Sequence, residues 1–492
     1  MSSKHIARPT NSIGSFLVDA AWFSFKLTFG LASLATVWTT AILKNGALWA
    51  TDTEEEKREL ATAQGKHWSL DREPLSGFKH AFFKTRLGTS LHYVINADNG
   101  ASTPKNIAVF IHGFPDSFLL WRHILQSPEL QHDYVLIAVD LPGYGGSDSL
   151  PSYGPYEMLE AITEFILGIR EQYLHTESKA VVVTHDWGAL VGARLASEAS
   201  ELADQWIITS GMIPLLAQSN AIAQFTLAKQ MIHTWVRSPF NLRLLKTAAA
   251  ALGPVRSQFR RSFYIFCFHL PWPFTNLLAT FGNYWFLRVM HNLGKGTRRR
   301  NEDKLFGHLD AKEAGEAMAM STGPGIQQLN ESEFGAMKYG ESVRRRVRDR
   351  GMSEKVKIYR DGLFNRRWEK SLETTAALFE IATSSTPHSS ASSAPLLSGQ
   401  LKGCLKAPTT FMLGERDPAF DRRLALDNVK DYLVGGSQVV LIKGAGHWLP
   451  LEPAGRRILE KTVLWALSKE LGSENVSTPF ASMNEVTVVV ET

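Results

Sequence analysis

The chain has 492 residues, 44% of them hydrophobic and 21% charged. This is globular composition with material for a large core, and it excludes a disordered or low-complexity chain. A net charge of +5 and two cysteines, Cys267 and Cys404, exclude a disulfide framework and a cysteine-based zinc site, and no reader motif accompanies the positive charge, so nucleic acid is excluded as a partner.

Residues 1–50 form a hydrophobic N-terminal segment. Leu27 to Leu43 runs 17 residues without a charge, between Lys26 and Lys44. As a helix it would be about 25 Å long, against a bilayer core of about 30 Å. Trp22, Trp38 and Trp49 suit an interface, and no small-residue cleavage site follows. The segment reads as a membrane anchor, with an interfacial helix lying on the bilayer and a buried soluble helix as the alternatives. Lys and Arg are nearly balanced on its flanks, so orientation is open too.

Residues 51–77 are polar and read as a linker. "HAFFKTRLGTSLHYVINA" (80–97) has the pattern of a hairpin turning near Gly88. Buried-strand patterns follow at 106–111, 134–139, 180–184 and 205–210. Met158, Ile162, Phe165, Ile166 and Ile169 recur between them at helical spacing. Strands alternating with helices predict a mostly parallel sheet flanked by helices. The alternation stops over 213–400, a helical, aromatic and basic insertion that ends in a Ser/Pro-rich loop at 384–399. Its clusters "GKGTRRR" (294–300) and "VRRRVRDR" (343–350) read as solvated faces, or as contacts for an anionic membrane. Strands at 409–414 and 438–444 and a helix over 455–469 close the fold within 401–472. The tail 473–492 is polar, then β-prone.

Ligands of open α/β sheets bind at the carboxyl ends of strands. In "THDWG", Asp186 takes the nucleophile place of a strand–tight turn–helix elbow, with Gly188 two residues on and Thr184, bulkier than the usual glycine, two before. The bland alternative is that Asp186 caps the following helix. "HGFPDS" (112–117) brings backbone close to that turn, so the N–H groups of Phe114 and Trp187 can form an oxyanion hole. Asp417 in "GERD" and His447 in "GAGHW" follow the last two strands, with Glu415 as the nearby rival for the acid. The order nucleophile, acid, base is that of the α/β-hydrolase fold. An aspartate is ionised at neutral pH and needs no base to attack. It suits a strained epoxide or a halide-bearing carbon, giving an ester that water, activated by His447 and Asp417, then hydrolyses. No serine occupies the elbow, which disfavours a serine esterase.

"HGFP", "HDWG", "GERD" and "GAGHW" together resemble epoxide hydrolases of the α/β-hydrolase superfamily, over about residues 78–470. The N-terminal segment is similar to that of membrane-anchored members. The resemblance implies a core split into 78–212 and 401–472, a helical cap inserted late in the sheet, and two cap tyrosines that donate to the epoxide oxygen. On matching motifs these are Tyr264 in "SFYIFCFHLPWPF" and Tyr359 in "KIYRDGLF". Reactants are then an epoxide and water; the Phe-, Trp- and Leu-rich cap and the anchor point to a lipophilic epoxide, the lack of a metal-ligand cluster or phosphate-cradling loop in the sequence predicts no cofactor, and the expected location is an internal membrane such as the endoplasmic reticulum. A haloalkane or haloacid dehalogenase shares the aspartate elbow, and a non-catalytic receptor or scaffold shares the fold. Oligomeric state is not readable.

Overall fold

The computed structural model describes residues 13–97, 105–175, 178–294, 309–384, 401–468, 479–480 and 483–492. Of the regions singled out above, 295–300 in the first basic cluster and 385–399 in the Ser/Pro-rich loop lie outside the described residues.

In chain order, α1 (Ile13–Asn45) and α2 (Glu54–Trp68) lead into an antiparallel hairpin, β1 (Lys79–Lys84) and β2 (Ser90–Ile95), with Gly88 at φ +84 in its turn. β3 (Ile107–Ile111), β4 (Val135–Val139), α3 (Pro155–Tyr173), β5 (Ala180–His185), α4 (Trp187–Glu198) and β6 (Gln205–Thr209) follow. Every residue of β3 to β6 is buried, as continuous apolar runs require when helices cover both faces of a sheet. Met158, Ile162, Phe165, Ile166 and Ile169 form the buried stripe of α3.

The cap leaves the sheet after β6. It comprises α5 (Pro214–Arg237), α6 (Leu242–Ala251), α7 (Gly253–Arg261), α8 (Phe263–Phe268), α9 (Trp272–Gly294, broken at 281–284), α10 (Ala311–Thr322), a series of short turns, and α11 (Leu372–Ser384). The chain then returns through β7 (Thr409–Gly414), β8 (Gln438–Ile442), α12 (Pro453–Ser468) and β9 (Val486–Glu491). The sheet order is β1-β2-β4-β3-β5-β6-β7-β8-β9. The six strands from β4 to β8 run parallel, so their carboxyl ends and the cap meet at one edge of the molecule.

Three readings change. Residues 51–77, expected as a linker, contain α2. Thr53 and Glu56 form a capping box at its start, and Ala63, His67 and Trp68 bury one face. The Trp68 indole donates to the Ala319 carbonyl of α10, tying α2 to the cap. Its acidic first turn hides this face in the sequence. The β-prone tail is an edge strand, antiparallel to β8, and so belongs to the core sheet. The second basic cluster is a solvated face only in part: Arg345 and Arg348 are exposed, and the other three arginines are not. Arg346 is buried and donates to the carbonyls of Tyr144 and Gly145, Arg344 pairs with Glu333, and Arg350 pairs with Asp52.

Candidate active site

The turn between β5 and α4 puts Asp186 at φ 53, ψ −116, a strained conformation for a residue with a side chain. Such strain persists where neighbours over-determine it. A Cβ at Gly188 would collide with the carbonyls of Ile111 and His112, so β3 and α4 touch through bare backbone. The bulk of Thr184, a departure from the usual elbow, is accommodated one turn into α4, where a side chain at Gly192 would strike the Thr184 methyl. Asp186 stands at the N-cap position of α4 but makes no capping hydrogen bond, so the helix-cap reading does not describe it.

Its carboxylate points elsewhere. The Phe114 N–H donates to Asp186 Oδ1 at 2.8 Å. Trp187 opens α4, so its N–H is one of the first-turn donors with no partner inside the helix. A Cβ on Gly113 would lie 2.5 Å from Asp186 Oδ1 and 2.6 Å from the Trp187 nitrogen, so only glycine lets this loop close over both. On the other oxygen, His447 Nε2 lies 3.4 Å from Asp186 Oδ2. His447 Nδ1 is 2.9 Å from Asp417 Oδ2 and 3.1 Å from Oδ1. Glu415 is exposed and accepts from the Gly444 N–H, away from the imidazole. Of the three side chains, Asp186 is 13% accessible against 5% for each of the others, so it is the member an incoming molecule reaches first.

Burial disfavours the charged form of His447, but the carboxylates of Asp417 and Asp186 outweigh it and raise the ring to about 10. The ring is therefore an imidazolium at neutral pH.

The cap supplies the opposite wall. Tyr264 stands on α8, and Tyr359 ends the 3₁₀ turn Val356–Tyr359. The Tyr359 ring packs edge-on against Trp187 (centroids 4.6 Å), Phe114 (5.2 Å) and Tyr264 (5.9 Å). Burial first, and the Asp186 carboxylate among the other causes, push both phenols above their ordinary range, so both keep their protons at neutral pH. The structure thus brings Asp186, Asp417, His447, Phe114, Trp187, Tyr264 and Tyr359 to one place.

Other residues complete it. Asp116, in the same "HGFPDS" loop, accepts from the Trp448 indole at 3.1 Å, and Trp448 stands edge-on to His447 at 4.9 Å. Burial pushes the Asp116 carboxyl up to about 7. The Ser210 hydroxyl donates to the His447 carbonyl, and cap residues Arg261 and Gln258 donate to the carbonyls of the Asp417 loop. No local pattern marks these groups in the sequence, because each bond joins segments more than 150 residues apart.

Comparison with known proteins agrees with this architecture. The Alpha/beta hydrolase family matches residues 108–300. Epoxide hydrolase 3 of Mus musculus is 24% identical over 77% of this chain and 76% of its own length. Epoxide hydrolase 4 of Mus musculus is 28% identical over 26% of this chain and 39% of its own length. Epoxide hydrolase 1 of Caenorhabditis elegans is 32% identical over 27% and 30%. The last two relatives are therefore matched over less than half their length. Among solved structures, the Cif epoxide hydrolase from Acinetobacter nosocomialis aligns with a TM-score of 0.47 at 15% identity, covering 85% of this chain and 98% of its own.

Proposed function

We propose that this chain, a hydrolase of the α/β-hydrolase fold related to epoxide hydrolases, converts a lipophilic epoxide to a vicinal diol through a covalent ester on Asp186. The observation that carries the reading is the division of labour at one carboxylate. Oδ1 is held by the Phe114 N–H, Oδ2 faces the His447–Asp417 pair, and two protonated phenols close the far side.

Asp186 Oδ2 attacks an epoxide carbon, and the C–O bond breaks toward Tyr264 and Tyr359. A phenol proton passes to the alkoxide, and the imidazolium restores it through the site, leaving His447 neutral beside a neutral ester. His447 then takes a proton from water as the hydroxide adds to the Asp186 carbonyl carbon. The resulting oxyanion is Oδ1, already seated on the Phe114 N–H, with Trp187 the second proposed donor. Collapse expels the diol with the former aspartate oxygen and regenerates the carboxylate and imidazolium.

Two buried phenols favour an epoxide over a halide, because an alkoxide leaving group demands a proton and a halide does not. Phe114 brings no side-chain donor to this loop. The anchor reading also belongs here. Within α1, Ala20–Leu43 is long and apolar enough to cross a membrane, which supports attachment to one; we assign an internal membrane and, with it, a lipophilic substrate. The assay is direct: purified chain with a long-chain epoxide and with a haloalkane. Diol from the first is the expected result. Free halide with no diol would replace this reading by the dehalogenase one, and neither product would leave a receptor or scaffold.

A further inference from the structure

α1 is not a free-standing anchor. Gly30, Leu34, Val37 and Ala41 form one buried stripe along it. At Gly30 a Cβ would meet the Phe266 carbonyl at 2.8 Å and Leu270 at 2.9 Å, so α1 lies directly on α8. Phe29 meets Phe266 with centroids 4.8 Å apart, and Phe25 meets Phe259 of α7 at 5.7 Å. Further along, Trp38 rests on Phe281, and Ala47 fills the space at the Gly282 kink of α9. A helix fastened to the cap along this length cannot sit in lipid without bringing the cap to the bilayer.

The rest of α1 is dressed for that environment. Trp22, Phe23 and Leu31 are exposed, and the hydroxyls of Ser24, Thr36, Thr39 and Thr40 donate back to carbonyls of their own helix, which leaves them satisfied in lipid. The cap continues the apolar surface. Ile222, Phe225, Ile232 and Val236 recur at helical spacing on the outer side of α5, and Phe240 is 99% exposed at the turn into α6. α7, which carries Phe259 against α1, also packs on α5 and α6. Residues 205–301 contain twelve Lys and Arg and no Asp or Glu, so the remainder of the chain carries a net −7. Large exposed apolar groups beside exposed Lys229, Arg237, Arg243 and Lys246 of this segment match an anionic lipid surface.

We propose that α1 and the outer face of α5 and α6 form one membrane-seated surface on an anionic bilayer, with the cap resting in the headgroup region. α8 then joins lipid to chemistry: Phe266 and Cys267 underlie α1, while Tyr264, on the same six-residue helix, faces Asp186. An apolar substrate would enter from the lipid side. This deepens the membrane reading of α1 given above and is independent of the reaction assigned to the site.

The test uses the full chain in vesicles of phosphatidylcholine with or without phosphatidylserine. Single variants Phe225→Cys, Phe240→Cys and Leu87→Cys carry an environment-sensitive fluorophore; native Cys267 and Cys404 are buried, and Leu87 lies on the exposed core hairpin. Brominated acyl chains should quench the labels at 225 and 240 several-fold more than the label at 87, and omitting phosphatidylserine or adding salt should weaken that quenching. Equal quenching at all three positions would overturn the proposal. So would a blue shift at 225 and 240 that depends on protein concentration without lipid quenching, which would assign the face to a second copy. No turnover is measured, so failure here and failure of the epoxide assay are separate results.

Discussion

Asp186 and Tyr264 face each other across one site, yet they are held by different means. Asp186 is fixed by backbone: a strained turn between a buried strand and its helix, with glycines at 113, 188 and 192 where chains touch. Tyr264 and Tyr359 are fixed by side chains, in a cluster of rings that includes Phe114, Phe268 and Phe286, on short helices with little regular structure. The cap as a whole is fastened the same way. Asp52, ahead of α2, takes Arg288, Arg350 and Asn283 of the cap on one carboxylate, and Arg350 also covers the Tyr284 ring at 4.4 Å. The sheet side therefore resists change until a glycine or the carboxylate itself is altered. The cap side can be loosened in steps, and the two halves should fail in different chemical steps.

The largest effect should come from the base. His447→Gln is expected to slow ester hydrolysis by about 10³-fold or more and ring opening far less, the phenol then regaining its proton from water, so that an ester accumulates on the peptide containing Asp186. Mass spectrometry of the quenched reaction reads this, and loss of activity without an ester would break the assignment of roles. Next, Tyr264→Phe and Tyr359→Phe should each slow ring opening by about 10-fold to about 10²-fold, with hydrolysis of a preformed ester unchanged. Rapid-quench measurement of the two steps separates them, and slowed hydrolysis would place the phenols in the sheet's half of the chemistry.

The ion cluster at His447 predicts a pH effect of known sign. The folded ring is raised to about 10 by Asp417 and Asp186 against its burial, above its ordinary 6.5. Stability from this cluster is present in full below about pH 6.5 and is lost as the pH rises through about 10. The difference in Tm between the native chain and His447→Gln should shrink over that window; a constant difference would mean the ring is not so coupled. The smallest effect on chemistry should follow Asp52→Ala. It leaves Arg350 without its carboxylate and Arg288 with Glu56 alone, and should cost about 2 kcal/mol of stability by denaturant unfolding, with little change in ester hydrolysis. Asp52 is held below its ordinary value: burial raises it, but hydrogen bonds from Asn283 and Arg350 and the charges of the two arginines win. Its contribution is therefore present above about pH 4 and is lost on acidification.

The same contrast decides what could be read from the sequence. β3 to β8 are short apolar runs with polar residues at their carboxyl ends, so local pattern alone places Asp186, Asp417 and His447 on one edge of a sheet. The cap offers no such rule. Tyr264 and Tyr359 are legible only through motif resemblance, and their contact depends on how segments 95 residues apart pack. α2 reads as a linker in the sequence because six of its first seven positions are charged, while its buried face needs α10 to exist. The buried stripe of α1 is invisible in an apolar run, where every residue qualifies. Asp116 stood in a motif already noted, but its partner Trp448 is 332 positions away.

Single-turnover hydrolysis of an epoxide in heavy-oxygen water, with enzyme in excess, tests the covalent step most directly. Ester formation on Asp186 predicts that the diol released in the first turnover carries two light oxygens, with the heavy atom recovered in the Asp186 carboxylate. A heavy oxygen in the first-turnover diol and an unlabelled Asp186 would mean that water attacks the epoxide itself, and the role given to Asp186 would be wrong.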